Sequence, residues 1–284
     1  MKLIDLHVHS DKSDGTLAPA ALVSLAASAG LSAFALTDHD NMDGIPEAME
    51  AAGRYGIELI PGIEFSTEYL GVDIHIVGLD LDERDSDFLH QIQFYREERL
   101  RRNQKMIRRM AEDGIDISFE KMTEAFGESV WTRAHFARYL TDHGYTPDMK
   151  SAFQTHIGEG CPYYIPREKV SPVTVTQLIH THHGIPVLAH PFQYHFTDEE
   201  LRTLLSLLTE AGLIGIEVYY SSYSREQQEY LLSLARDFHL APGGGSDFHG
   251  TNKPDISIGT GTGDLRIPYS VLEGLRNRQT ERKE

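Results

Sequence analysis

Short apolar runs of strand length alternate with helix-length stretches over residues 1–81 and again over 172–284, and a charged, helix-rich segment at 82–171 separates the two blocks. This alternation constrains the fold more than any other feature. Strands joined by helical crossovers pair mostly in parallel, as an open sheet or a closed barrel. Candidate strands fall at 2–9, 32–37, 57–62, 72–81, 185–189, 214–219 and 240–243, with helices near 18–29, 45–55, 197–211 and 224–238. Residues 82–171 read as an inserted helical subdomain between two parts of one α/β body. The uncharged stretch 17–37 is long enough to span a bilayer, but Pro19, Gly30 and its serines divide it into a small-residue helix, a stop and a buried strand.

Within this framework the polar residues are unevenly placed. His7 and His9 stand two apart at the end of the first strand, so on a pleat they project to one face. Such a pair can hold a metal, or it can be two ordinary polar positions at a strand mouth. Asp14 follows in the next loop, T-D-H-D (37–40) ends the second strand, Glu64 follows the third and His75 lies in the fourth. His190 closes a later strand, Glu217 sits within another, and Asp247 and His249 follow the last. In α/β barrels, functional groups gather where the C-terminal ends of the strands open into loops. Charged groups collected at one edge point to a site rather than to surface decoration.

Composition narrows the chemistry. The chain has 284 residues, 40% apolar and 24% charged, which is enough for one large α/β body with a substantial core. The single cysteine excludes a Cys-rich metal site and an intrachain disulfide. A net charge of −17 argues against broad binding to long nucleic acid, while leaving room for a small anionic substrate at a locally positive site. No basic-then-apolar leader opens the sequence, so a cytoplasmic protein without membrane attachment is expected.

H-x-H at 7–9, T-D-H-D at 37–40, P-G-x-E at 61–64, His75, A-H-P at 189–191 and S-D-x-H at 246–249 together resemble the PHP (polymerase and histidinol phosphatase) superfamily. The insertion, with T-R-A-H-F-A-R-Y-L at 132–140, looks like its nucleoside 3′,5′-bisphosphate phosphatase branch, whose relatives trim RNA 5′ ends as exonucleases. The resemblance implies a distorted seven-stranded β/α barrel and three divalent metals, with Mn2+ favoured and Fe2+, Zn2+ or Mg2+ as alternatives. Carried over by position, His7, His9, Glu64 and Asp247 would hold one ion. Glu64 would bridge to a second held with His75 and His190, and Asp14, His39 and His249 would hold the third. Asp38, Asp40 and Glu217 would support these ligands without binding metal themselves. Imidazole and carboxylate suit Mn, Fe and Zn better than Ca. Three divalent ions against three ligand carboxylates leave a local excess of about +3, enough for an acidic protein to hold a phosphate. The implied reaction is hydrolysis of a phosphomonoester by metal-activated water.

The insertion adds a basic helix, Q-I-Q-F-Y-R-E-E-R-L-R-R-N-Q-K-M-I-R-R-M at 91–110. Its helical period puts Ile92, Tyr95, Leu100, Met106, Ile107 and Met110 on one face, with Arg96, Arg99 and Asn103 inside that arc and Arg102 at its edge. Arg96 and Arg99 can snorkel, burying their stems. Polar groups in mid-face also suit an overhang above an anionic pocket, since guanidinium forks match phosphate oxygens. Arg99, Arg102, Asn103, Arg133 and His135 are therefore the candidates for contacting a 5′-phosphate; Trp131 is a candidate for a base, or simply core. The expected substrate is a nucleoside 3′,5′-bisphosphate, extending to short RNA 5′ ends. The alternatives are a histidinol-phosphate-like phosphatase, which needs no second phosphate grip, and a noncatalytic metal-stabilised module.

Overall fold

A computed structural model describes residues 2–127, 129–166 and 170–283. The expected alternation opens the chain, with β1 (Leu3–Val8), α1 (Pro19–Ser28), β2 (Leu31–Leu36), α2 (Ile45–Tyr55) and β3 (Glu58–Tyr69). Strands β1, β2 and β3 pair in parallel. Gly30 and Gly56 end the two helices at φ 76° and 66°, the left-handed stop that costs glycine least.

Two departures follow. β3 runs on to Tyr69 instead of stopping at 62, and it turns directly into β4 (Val72–Leu79) as an antiparallel hairpin. Leu70 and Gly71 make this turn at φ 54° and 84°, as two-residue hairpin loops require. The extension escapes a hydropathy reading because Glu64, Ser66 and Thr67 are polar yet buried. β4 then pairs antiparallel with β5 (Ile185–Leu188), so the sheet is mixed rather than wholly parallel.

Between β4 and β5 lie α3 (Ser86–Glu112), α4 (Phe119–Phe126), α5 (Arg133–Asp142), α6 (Met149–Ala152), a π turn at Phe153–Ile157 and α7 (Pro172–Thr181). The first half of α3 packs Phe88, Ile92 and Tyr95 into the main core. Its second half joins Met122, Phe136 and Leu140 in a separate cluster around Met106 and Met110. Leu100, which the helical period places on the apolar face, is instead 40% exposed, while Arg99, Arg102 and Asn103 are buried.

The parallel pattern resumes with α8 (Asp198–Glu210), β6 (Gly215–Tyr220), α9 (Arg225–Asp237) and β7 (Ala241–Gly245). The expected seven strands become eight, because Ile267–Pro268 (β8) adds a short antiparallel strand on β1 before α10 (Ser270–Lys283). Two residues are too few to carry a strand signature in the sequence. Strand order is β7-β6-β5-β4-β3-β2-β1-β8. Just past β7 the backbone meets β1 again: Asp247 N donates to His7 O at 2.9 Å, and His9 N donates to Phe248 O at 3.0 Å. The result is a nearly closed barrel. Its seam explains the glycine run in β7, since a Cβ on Gly245 would sit 2.2 Å from His7 Cβ.

Leu272 and Leu275 of α10 pack with Ile4, Leu6, Ala33, Val77 and Val187 of the strands. A larger cluster joins the strands to α1, α2, α7, α8 and α9. Among the described residues, no helix is long and apolar enough to cross a membrane.

Candidate metal centre

The strand ends deliver their polar side chains to one place. His7 and His9 come from the β1 end and the loop beyond it, and neither is exposed to solvent. Asp14 arrives from the same loop. Asp38 folds that loop by accepting from Ser10 N (2.8 Å), Ser10 Oγ (2.6 Å) and Ser13 Oγ (2.6 Å). His39 follows β2, Glu64 lies in β3, and His75 lies in β4 as the register partner of Ser66. His190 follows β5 with φ 24°, and Asp247 follows β7 with φ 56°, just before His249. Strained dihedrals in non-glycine residues of this kind concentrate at functional sites.

Glu64 stands at the centre. Its Oε2 lies 3.3 Å from His7 Nε2, 3.3 Å from His9 Nε2 and 3.1 Å from His39 Nδ1. Its Oε1 lies 2.9 Å from His75 Nδ1 and 3.0 Å from His190 Nε2. Asp14 approaches His249 Nε2 at 3.2 Å, His39 Nε2 at 3.6 Å and His9 Nδ1 at 3.7 Å. Asp247 Oδ1 lies 3.3 Å from His249 Nδ1, 3.5 Å from His9 Nε2 and 3.7 Å from His7 Nε2. All nine sequence-derived ligand candidates thus converge.

Their donor atoms form three overlapping groups: His9 with Asp14, His39 and His249; His7 with His9 and Glu64; and His39 with Glu64 and His75. This division differs in detail from the one the resemblance implies. His9, His39 and Glu64 each serve two groups, and His190 and Asp247 approach these donors without joining a group.

The electrostatics match a site built for cations. Burial alone would raise the Glu64 carboxyl, but His75, His7 and His39 outweigh it and hold Glu64 well below the usual range. Asp14 is held low in the same way against burial by His39 and His249, and Asp247 by Lys253, His249 and His7. For the His9 ring, burial is outweighed by Asp247 and Glu64, and its pKa rises to about 9. For His39, burial wins and lowers the pKa well below the ordinary value. Buried polar atoms are almost always partnered, yet His7 Nε2, both His9 ring nitrogens and His190 Nδ1 have no hydrogen-bond partner. Imidazole nitrogens without partners, set among ionised carboxylates and with no thiolate nearby, fit divalent cations of the Mn, Fe and Zn type.

The predicted supporting residues each have a definable task. Glu217 Oε1 lies 2.8 Å from His7 Nδ1, while its Oε2 accepts from His190 N at 2.7 Å, so one carboxylate orients two candidate ligands. Asp40 accepts from Arg99 Nε at 2.8 Å and Nη2 at 2.5 Å. Other supports are not singled out as such by the sequence. Tyr220 OH donates to Asp247 Oδ2 at 2.6 Å, Lys253 Nζ donates to the same oxygen at 2.5 Å, and Thr132 Oγ1 donates to Asp14 Oδ2 at 2.8 Å. Asp5 fastens the loop after β7 through Ser246 N at 2.8 Å and Ser246 Oγ at 2.5 Å.

A cavity of about 340 Å³ opens above the donors, walled by Arg99, Arg102, Thr132, Arg133, Met149 and Lys253. Among the candidate phosphate contacts, Arg102 Nε donates to Asn103 Oδ1 at 2.9 Å, and Arg133 pairs with Asp73 below the Tyr164 ring. Asn103 lies outside the cavity wall; it donates to Trp131 O at 2.9 Å and so braces Arg102 from behind. His135 also lies outside the wall. Its Nδ1 accepts from Thr132 N at 3.0 Å in the capping box of α5, and burial lowers its pKa to about 4. Trp131 is buried and donates to Gly127 O at 3.1 Å, as a core tryptophan does.

Comparison with known proteins agrees with this geometry. The family model for the PHP domain matches residues 5–158. The chain is 36% identical to a 5′-3′ exoribonuclease of Haemophilus influenzae over 87% of its own length and 90% of that protein. It is 34% identical to a 3′,5′-nucleoside bisphosphate phosphatase of Chromobacterium violaceum over 91% of each. A Bifidobacterium adolescentis structure described as a metal-dependent phosphoesterase superposes with a TM-score of 0.85 at 29% identity, covering 98% of this chain and 96% of that one.

Proposed function

The chain belongs to the PHP domain family, and from that premise we propose that it is a divalent-metal-dependent phosphatase that removes the 3′-phosphate from nucleoside 3′,5′-bisphosphates and accepts short 5′-phosphorylated RNA. The observation that carries this reading is Glu64: both its oxygens face imidazoles, at the floor of a cavity walled by arginines. Three ions, Mn2+ first among them, would be held by His7, His9, Glu64 and Asp247; by Glu64, His75 and His190; and by Asp14, His39 and His249. Such a cluster, when bound, lowers the pKa of a water and clamps the attacking and leaving oxygens of an in-line displacement.

The protein's own residues do the rest. Glu217 fixes the ring of His7 and the backbone at His190. Arg102, braced by Asn103, and Arg133 supply forked donors for a phosphate remote from the bond that breaks. Binding energy gained there fixes the reacting phosphoryl group in place as well as lowering KM. Residues 82–171 act as the substrate-gripping subdomain in this reading.

The test is to strip the protein, reload it with Mn2+, and assay adenosine 3′,5′-bisphosphate, adenosine 3′-phosphate and histidinol phosphate. The bisphosphate should be preferred over the monophosphate roughly ten- to a hundredfold in kcat/KM, the worth of a charge-assisted hydrogen bond. Equal rates on the two nucleotides, or a preference for histidinol phosphate, would sink the proposal.

A further inference from the structure

Beside the metal centre the cavity continues into a second lobe of about 360 Å³, which shares His75, His190, Arg133 and Phe153 with the first. A volume above about 300 Å³ is in the range of small-ligand sites. Arg99 and Arg102, which wall the main cavity, do not reach this lobe. It is bounded instead by Val72 at the start of β4, Gly158 and Glu159 after the π turn, Tyr164, and His195. His195 is exposed and ends the 3-10 turn Pro191–Tyr194 in a left-handed backbone conformation at φ 53°, which turns its ring position out to the lobe's rim. The lobe therefore has one exposed imidazole, His195, and three aromatic rings, Phe153, Tyr164 and the buried Tyr194. Its one guanidinium, Arg133, is already paired with Asp73, and Glu159 adds negative charge. That lining suits a base and its ribose better than another phosphate.

We propose that this lobe is the subsite for the nucleoside esterified to the far side of the reacting phosphorus, the second residue of a 5′-phosphorylated oligonucleotide. The inference rests on the function proposed above. In a bisphosphate and in an oligonucleotide the same P–O3′ bond breaks. Water adds its oxygen to phosphorus, and the 3′-oxygen leaves and takes up a proton. The water's other proton stays on the inorganic phosphate released from a bisphosphate and passes to solvent when the product is a nucleoside 5′-phosphate. The substrates differ only in whether that phosphorus also carries a second nucleoside through its 5′-oxygen. A phosphomonoesterase has no use for space at that position, and this chain has a lined lobe there. The remaining fragment leaves with a 5′-phosphate of its own, the group the arginine-walled cavity would bind for another round.

The experiment compares the Mn2+-loaded protein on adenosine 3′,5′-bisphosphate and on the 5′-phosphorylated dinucleotide pApA. His195→Ala removes a stacking surface and Glu159→Trp fills the lobe; neither residue belongs to the proposed ligand set or phosphate grip. The wild type should cleave both substrates. His195→Ala should lower kcat/KM for pApA roughly tenfold, mostly through KM, and Glu159→Trp should lower it further, with bisphosphate turnover within about twofold of wild type in both. The unchanged bisphosphate rate also reports that the variants fold. Cleavage of the bisphosphate but not of pApA by the wild type would overturn the subsite and the RNA part of the function proposed above while leaving its phosphatase part intact. Variants that affect both substrates alike or neither would overturn the subsite alone. If the wild type cleaves neither substrate, the underlying reading falls as well.

Discussion

Glu64 is 1% exposed and offers one oxygen to three imidazoles and the other to two, so its charge and its shape can be tested separately. Glu64→Gln keeps the shape. We expect it to abolish turnover and to reduce the metal ions retained per chain, measured by mass spectrometry of the dialysed protein; full activity would remove the bridging role. Thr132 is a subtler case. Its hydroxyl caps α5 by accepting from Ala134 N at 3.1 Å while donating to Asp14, so a residue of the insertion orients a candidate ligand on the barrel. Thr132→Ala should weaken metal binding by titration calorimetry and cost about 1 kcal/mol as a lost helix cap. Thr132→Ser should restore both, and an alanine variant with wild-type metal affinity would contradict the link. His9 gives the pH dependence. In the metal-free protein its folded pKa of about 9 lies above the ordinary 6.5, so the stability it contributes is complete below about 6.5 and is lost as pH rises through 9. The melting temperature of stripped protein should therefore fall between pH 7 and 9, and metal loading near neutral pH should release protons. A stripped protein that gains stability over that range would count against the assignment.

At the scale of elements, α3 shows how far a helical period can be read. The period places Arg99 and Asn103 within the apolar arc, and both are buried. It cannot reveal their partners: Asp40, which Arg99 grips, sits in the loop after β2, and Trp131, which Asn103 braces, lies across the insertion. The two arginines should consequently separate on mutation. Arg99→Ala strips a buried carboxylate of its guanidinium and should cost about 3 kcal/mol by chemical denaturation. Arg102→Ala should leave stability nearly unchanged while shrinking the preference for bisphosphate over monophosphate. The reverse pattern would exchange their roles. His7, His9, His39, His190, Asp247 and His249 were legible because each follows an apolar run at or just beyond a strand end. Glu64 and His75 lie within strands and were legible through the motifs that carry the family resemblance. Tyr220, Lys253, Thr132 and the extension of β3 were not, because their roles arise only when distant segments meet and their local sequence resembles ordinary strand, loop and cap.

For the molecule as a whole, the seam between β1 and the segment after β7 matters most. His7 and His9 lie on one side of it and Asp247 and His249 on the other, joined by the two backbone hydrogen bonds described above. In the proposed ligand sets, ions span this seam, so removing them should open amide exchange at residues 7–9 and 246–249 before the rest of the barrel, which hydrogen–deuterium exchange can resolve. Exchange that rises evenly over the whole chain would argue against a metal staple. The opposite side of the barrel has another property. Leu79 and Ile185 are register partners on adjacent strands, so the chain departs for its long excursion and returns at neighbouring points. Because closing a longer loop costs only logarithmically more, segments of very different length can be exchanged at those two points by recombination or by grafting. The barrel chemistry would then acquire new guests without being rebuilt, provided that each donor segment brings a hydroxyl to the place Thr132 occupies.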